Sequence, residues 1–425
     1  MEQLININTV IKQHLIDPEI CIQCNTCESI CPEAAISHDS RHYVVDPDKC
    51  KTSMTCITNC PTGAIDNWRT VPRAKAYSVQ EQFGWGSLPV ELTAAQLAAE
   101  GVSTETVPEV APGSAPQLST TIHGHPLGDA RIGATVPPWS AAHAYTDLYK
   151  ADNPVTATVT GNMRVTEMGQ EYDTHQIVLD MGRTPFPWLE GQSIGIIPPG
   201  LDASGKPHQA RLYSISSARD GERQGFNNFS LTVKRVLKDR QGNPVHGVAS
   251  NYLCDLNVGD TVQVIGPFGA SFLMPNHPGS HIVMICTGTG SAPMRGMLHW
   301  RNRQRTSGNF AGGKLMLFFG ARTKKELPFF GRLNNLPKDF LDLNLAFSRE
   351  TDQPKRYVQD LMRERNADLA VLLADPDSYF YVCGLRSMEE GVILALRDIA
   401  EQAGLRWETL SQALKREGRL HLETY

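Results

Sequence analysis

Seven of the ten cysteines lie between Cys21 and Cys60, and their spacing repeats. Cys21, Cys24, Cys27 and Cys31, followed by Pro32, form C-x2-C-x2-C-x3-C-P. Cys50, Ser53, Cys56 and Cys60, followed by Pro61, keep the same spacing with serine in the second place. Thiolates spaced this way suit iron–sulfur clusters, whose irons take soft sulfur ligands. Two other chemistries fit less well. A disulfide framework belongs to small secreted chains and pairs its cysteines, whereas seven is odd. Zinc held by four cysteines pairs two distant C-x2-C knuckles and has no use for two C-x3-C-P tails. Ser53 leaves three states open at the second site: a 4Fe-4S cluster with a serinate ligand, a 4Fe-4S cluster with an open iron, or a 3Fe-4S cluster.

Four further stretches carry phosphate-binding and ring-binding chemistry. In RLYSISSAR a strand presents Arg211, Leu212, Tyr213 and Ser214. An arginine fork grips a pyrophosphate in two places, a tyrosine ring can lie against a flavin, and a serine hydroxyl can serve its reactive nitrogen. In HGVASNYLCDL, Gly247, Val248, Ala249 and Ser250 open a helix whose first N–H groups favour a phosphate. The loop TGTGS, with Thr287 and Thr289, follows the apolar run HIVMIC and precedes a helix, so its glycines let backbone approach a second pyrophosphate. Finally, LAFSRE and PKRYVQ bring Ser348, Arg349, Lys355 and Tyr357 close in sequence. A hydroxyl, two cations and an aromatic ring fit an adenosine that bears a 2′-phosphate, which selects NADPH over NADH. FAD, NADPH and two clusters are therefore the expected cofactors.

The rest of the chain must hold these groups in place. At 425 residues it should form about three domains, and 41% hydrophobic with 20% charged residues is ordinary for globular protein. A net charge of -5 argues against a nucleic-acid partner. No apolar run nears the ~18 residues that cross a bilayer. The start, MEQLININTVIKQH, lacks a signal-peptide layout, so a cytoplasmic location is expected. Residues 1–75 form the cysteine-rich domain, acidic with five Lys/Arg against nine Asp/Glu over 1–70. Residues 76–150 read as a Pro/Ala/Gly-rich linker with one short helix at 93–100. Over 151–275, six short β-branched runs bounded by Gly, Pro, Asn or Asp predict an antiparallel barrel. From 276 to 425, buried apolar runs alternate with helices, which predicts a parallel α/β sheet. The fold class is thus multidomain α+β.

Two resemblances sharpen this reading. Residues 10–70 look like a bacterial two-cluster ferredoxin, in which the fourth cysteine of each motif crosses to the other cluster. The resemblance implies one 4Fe-4S cluster on Cys21, Cys24, Cys27 and Cys60, and a second cluster, 4Fe-4S or 3Fe-4S, on Cys50, Cys56 and Cys31, with Ser53 or a solvent ligand at the fourth iron. From about residue 150 onward, RLYS, VKR, GVASNYLCDL, GDTVQVIGPFG, GTGSAP, FSRE, YVCGLRSMEEGV and a C-terminal aromatic are similar, in order, to plant-type ferredoxin–NADP+ reductases. By that likeness Ser214 lies near the flavin nitrogen and Cys383 beside the nicotinamide, with Gly384 and Leu385 following. Glu423 is tied to proton and hydride chemistry, and Tyr425 stacks on the flavin. Lys234 and Ser250 would touch FAD or NADP phosphates and ribose. Leu237 stands where the family often stacks a tyrosine on adenine, and Thr424 replaces a common valine. Cys254 and Cys286 have no family role and should be small buried residues.

Together the parts imply electron flow from NADPH through FAD and the clusters to an external acceptor. The full domain order resembles the family of reductase components A of benzoyl-CoA 2,3-epoxidase. That likeness implies a separate di-iron oxygenase as partner, in aerobic benzoate breakdown. Charge and hydropathy leave no nucleic acid or membrane as partner, and the assembly, homodimer or otherwise, stays open. A general NADPH reductase serving another oxygenase, and a non-enzymatic redox sensor, are the alternatives.

Overall fold

The computed structural model describes residues 10–18, 21, 23, 25–39, 42–60, 62–92, 96–97, 121–122, 125–126, 144–202, 204–239, 241–310, 312–329, 333 and 336–425. The chain divides into two compact units, Met1–Arg131 and Ile132–Tyr425. No helix among the described residues is long and apolar enough to cross a membrane.

In the first unit, β1 (Val10–Leu15) pairs antiparallel with β4 (Asn67–Pro72), and β2 (Ile36–His38) with β3 (Tyr43–Val45). The helices are short: α1 (Thr26–Ile30), α2 (Thr55–Thr58) and α3 (Val79–Gln82). A core of Ile16, Ile36, Tyr43, Val45, Ile57 and Ile65 is small, and five of the cysteines pack against it. A domain with so little apolar surface to bury needs a metal centre for stability. The linker expected over 76–150 begins later than the composition suggests. Gln82 exchanges two hydrogen bonds with the Val45 backbone, at 2.8 and 3.1 Å, and Gln13 does the same with Tyr77, at 2.7 and 2.8 Å. Those side-chain bonds fasten this stretch to the sheet. Of the helix expected at 93–100, only Gln96 and Leu97 are described, and they are helical. A two-residue pair, β5 (Thr121–Ile122) with β6 (His125–Pro126), completes the unit.

The second unit begins with the barrel. Its strands are β7 (Val155–Arg164), β8 (Thr174–Asp180), β9 (Ser193–Ile197), β10 (Arg211–Ser214), β11 (Asn228–Lys234) and β12 (Thr261–Phe268), in the order β10-β9-β12-β7-β8-β11, all antiparallel. The two edges meet where Ile215 bridges Leu231 and Ser216 donates to the Ser230 carbonyl at 2.9 Å, which closes the sheet. Alternating Val, Ile and Leu fill the interior with Phe186, Trp188 and Phe229. Helix α4 (Val248–Asp255) precedes β12. The start of this unit is also tied down: Tyr149 pairs with Gly266, and its hydroxyl donates to the Pro185 carbonyl at 2.6 Å.

The α/β part follows as β13 (His281–Thr287), α5 (Ser291–Thr306), β14 (Leu315–Ala321), β15 (Asp342–Phe347), α6 (Val358–Glu364), α7 (Asn366–Ala374), β16 (Ser378–Gly384), α8 (Arg386–Gln402), α9 (Trp407–Arg416) and β17 (Leu420–Thr424). Its parallel order is β15-β14-β13-β16-β17. Helices α6 to α9 cover one face and α5 the other. The winding reverses between β13 and β16, so their C-terminal ends open a crevice where such sheets bind nucleotides. Strand β17 is a strand that sequence patterning misses, because LHLET is short and half polar, and α6, α7 and α9 are likewise not read from the sequence.

Candidate functional site

The cysteines of the first unit gather around two cavities. One is lined by Cys21, Cys27 and Cys60 with Ile16, Tyr43 and Ile65. The other is lined by Cys31, Cys50, Cys56 and Ser53 with His14 and Val45. This grouping coincides with the crossed ligand set. Cys24 lies outside the described residues. The two motifs also share a strained backbone: positions 23 and 25 in the first, and 52 and 54 in the second, all take positive φ between 52 and 62°. Non-glycine residues adopt that conformation rarely and mostly at functional sites. The geometry turns N–H groups toward sulfur, as when Gln23 donates to the Cys21 sulfur at 3.4 Å and Ala35 to that of Cys31 at 3.4 Å. Burial pushes the Cys56 thiol up to about 11 and raises that of Cys50. Thiols so placed ligate as thiolates, their protons displaced to solvent as the metal binds. As the side chains stand, no three His, Cys, Asp or Glu residues among those described could hold a single metal ion. The sulfurs are spread around a space instead.

In the second unit the crevice is built by two glycines that interlock. A Cβ on Gly290 would sit 2.2 Å from the Cys383 carbonyl oxygen, and one on Gly384 would sit 2.5 Å from the Thr287 hydroxyl. Loop 287–291 and the end of β16 therefore touch backbone to backbone. Cys383 stands in register with Glu423 on β17. Burial, and secondarily the Glu423 carboxylate, pushes the Cys383 thiol far above its usual range, while burial raises Glu423 itself. One Glu423 oxygen and the Thr287 hydroxyl are buried without a hydrogen-bond partner. Tyr425 spans this mouth: its hydroxyl bonds Thr289 at 2.8 Å and its N–H donates to the Gly384 carbonyl at 3.0 Å, and the residue is exposed. Thr424 donates to the Glu389 carboxylate, a bond that the common valine could not make. Leu385 is exposed at the start of α8.

On the barrel, the Arg211 guanidinium is exposed and makes only marginal contacts with carbonyls at 3.4 and 3.5 Å, so it is available to an anion. Tyr213 packs on the barrel core and Leu212 is exposed. At α4 a Cβ on Gly247 would lie 2.8 Å from both Ser250 and Val236, so only glycine fits before Val248 and Ala249. The Ser250 hydroxyl accepts from the Val236 N–H at 3.1 Å and donates to the Gly247 carbonyl at 3.3 Å, which fastens the preceding hairpin to the helix. Lys234 lies over the Tyr172 ring at 3.9 Å, and Arg322 lies 4.0 Å from the same ring, a cluster with no sequence signal because its members come from three strands' ends. Leu237, in place of an adenine-stacking tyrosine, is half exposed. Cys254 and Cys286 are buried.

The ends of β14 and β15 carry the residues expected to meet an adenosine phosphate. The Ser348 N–H donates to the Ala321 carbonyl at 3.1 Å, and the Arg356 N–H reaches back to the Phe347 carbonyl at 3.0 Å. That return brings Lys355 and Tyr357 beside Ser348 and Arg349, with the Lys355 ammonium 4.9 Å from the Tyr357 ring. Neutralising Arg349 and Lys355 together should lower kcat/KM for NADPH at least about tenfold while barely changing it for NADH. Two charge-assisted contacts at roughly 1.5–3 kcal/mol each would be lost with the first coenzyme alone. Equal losses with both coenzymes would remove these residues from the site.

Residues 284–393 match the family model described as the oxidoreductase NAD-binding domain, and residues 20–64 match the 4Fe-4S dicluster domain. Among curated proteins, the chain is 38% identical over 318 residues to a ferredoxin–NADP reductase of the Cyanophora paradoxa cyanelle, covering 73% of this chain and 84% of that one. It is 38% identical over 289 residues to a ferredoxin–NADP reductase of Thermosynechococcus vestitus, covering 66% and 75%. Among solved structures it is similar to a ferredoxin-NADP+ reductase from Plasmodium falciparum, with a TM-score of 0.53, 22% identity, and coverage of 66% of this chain and 100% of that one.

Proposed function

The chain belongs to the ferredoxin–NADP reductase family, and on that premise we propose that it oxidises NADPH and passes the electrons through its own cysteine-rich unit to a separate di-iron oxygenase that epoxidises benzoyl-CoA. The observation that carries the reductase part is the crevice in which Gly290 meets Cys383 while Tyr425 reaches Thr289. The barrel residues fit FAD: Arg211 and the first N–H groups of α4 would hold its pyrophosphate, and Tyr213 and Ser214 would lie along its ring. When bound, FAD supplies the conversion between a two-electron hydride and single electrons that clusters accept. The chain's own residues do the rest. Loop 287–291 supports the coenzyme pyrophosphate, Arg349 and Lys355 pair with its 2′-phosphate, and the Cys383 and Gly384 backbone sets how far the nicotinamide enters. Half-buried Glu423, its carboxyl raised by burial, stands in register with Cys383 at the nicotinamide end of the crevice, and Tyr425 covers the ring side.

The acceptor is the finer part of the proposal, and it rests on the resemblance of the domain order to benzoyl-CoA epoxidase reductases. Purified protein loaded with FAD and iron would be mixed with NADPH, a di-iron benzoyl-CoA oxygenase and benzoyl-CoA. NADPH consumption coupled to epoxide formation is the expected result. NADPH oxidation with artificial one-electron acceptors but not with this oxygenase would leave a general reductase. Failure to oxidise NADPH with any acceptor would favour the redox sensor.

A further inference from the structure

We propose that Glu222 and Arg295 are positioning residues, fixing the flavin side of the hydride-transfer site against its coenzyme side. The inference rests on the reductase reading above and adds to it a pair of residues that touch neither coenzyme nor flavin. Glu222 is 3% exposed and Arg295 is 6% exposed. One Glu222 oxygen accepts from Gln176 at 3.0 Å and Arg295 at 2.7 Å. The other accepts from Ser217 at 2.5 Å, Ser230 at 2.9 Å and Arg295 at 2.8 Å. Arg295 also donates to the Ser216 carbonyl at 2.7 Å. Burial alone would raise the Glu222 carboxyl, but Arg295 and Ser217 hold it well below the usual carboxylate range.

The pair sits where two functional ends converge. Ser216 and Ser217 directly continue the strand that ends in Ser214, the residue at the flavin. Arg295 lies one turn into α5, whose first residue, Ser291, donates to the Gly288 carbonyl at 2.8 Å and closes the loop that contacts Cys383. The helix backbone is pressed onto the strand, since a Cβ on Gly296 would lie 2.9 Å from the Ser217 carbonyl oxygen. Arg303 repeats the tie further along the helix, binding the Asp220 carboxylate and the Gly221 and Glu222 carbonyls at 2.8 and 2.9 Å. A buried ion pair can often be replaced by apolar residues without loss of stability. What a carboxylate with five directed contacts adds over packing is a single allowed orientation.

In hydride transfer the coenzyme loses two electrons and a proton's mass as one hydride, and the flavin gains both, so no further reactant enters. The rate depends steeply on alignment. Two variants separate geometry from charge: Glu222→Gln combined with Arg295→Met removes both charges, and Gly296→Ala shifts the helix with both charges kept. Flavin reduction would be followed by stopped-flow at saturating NADPH, together with KM, FAD content and Tm. Each variant should retain FAD and lose at least about tenfold in rate, with KM within about twofold, and Arg295→Lys should fall between. Normal rates in both variants would overturn the proposal. So would losses that track FAD content or Tm, including failure to fold, because the network would then only hold the fold. Wild-type flavin that NADPH does not reduce would overturn the reductase reading itself, and this inference with it.

Discussion

Gly290→Ala is expected to slow flavin reduction by NADPH about a hundredfold or more while leaving FAD content unchanged. The added methyl would lie 2.2 Å from the Cys383 carbonyl oxygen, 2.6 Å from its carbon and 3.0 Å from the Gly384 nitrogen. All three atoms are backbone and cannot swing aside as a side chain would. Either loop 287–291 or the end of β16 must move by around an ångström, and misplacement on that scale costs on the order of 10²-fold where reacting atoms must align. FAD should stay bound because its proposed contacts, Arg211 and the start of α4, lie in the barrel. Gly308→Ala is a matched control, since a methyl there meets nothing within 4 Å. It should cost some stability, because Gly308 has φ of 77°, but no rate. Stopped-flow reduction at the wild-type rate in Gly290→Ala would mean that the crevice is not where the coenzyme enters.

Cys31→Ala should remove the cluster of the second motif, although Cys31 belongs to the first. It lines the cavity of Cys50, Cys56 and Ser53, whereas Cys60 lines that of Cys21 and Cys27. Each single substitution should therefore lower iron by about half and abolish one electron paramagnetic resonance signal, with Cys60→Ala removing the other. Ser53→Cys should do the reverse at its own site: complete the thiolate set, eliminate any 3Fe signal, and move one reduction potential but not the other. Ligand type is a principal lever on a cluster's potential. If Cys31→Ala and Cys60→Ala disturb the same signal, the two cavities do not hold separate clusters. If anaerobically prepared wild-type protein contains iron for only one cluster, the second motif is vestigial. Two cubanes indifferent to Ser53→Cys would mean that another group ligates the fourth iron.

The barrel strands were legible because a half-buried strand must alternate or cluster β-branched residues, and each of the six runs found in sequence is a strand. The parallel strands β13, β14 and β16 are legible for the complementary reason, as both their faces are covered and their residues are mostly apolar. Strand β17 escaped because it is an edge strand with His421 and Glu423 on one face, so neither pattern appears. Composition does not mark where the connector begins. Residues 76–92 are of mixed composition, and Gln82 and Tyr77 supply side-chain and backbone bonds that anchor the stretch, partners that no composition reveals.

The kinds of chemistry are legible locally: the thiolate spacing, the glycine loops, the paired cations Arg349 and Lys355 and the aromatic Tyr425 are all read from neighbouring residues, on which ligand type and turn conformation depend. Which of those residues meet is a matter of the fold. The crossing of Cys31 and Cys60 between cavities, the contact of Gly290 with Cys383, the bond of the Ser250 hydroxyl to Val236 and the burial of Glu222 against Arg295 join positions far apart in the chain. Backbone closure and packing set these contacts, because a side chain's partner depends on which elements the core brings side by side, and no spacing along the chain encodes that.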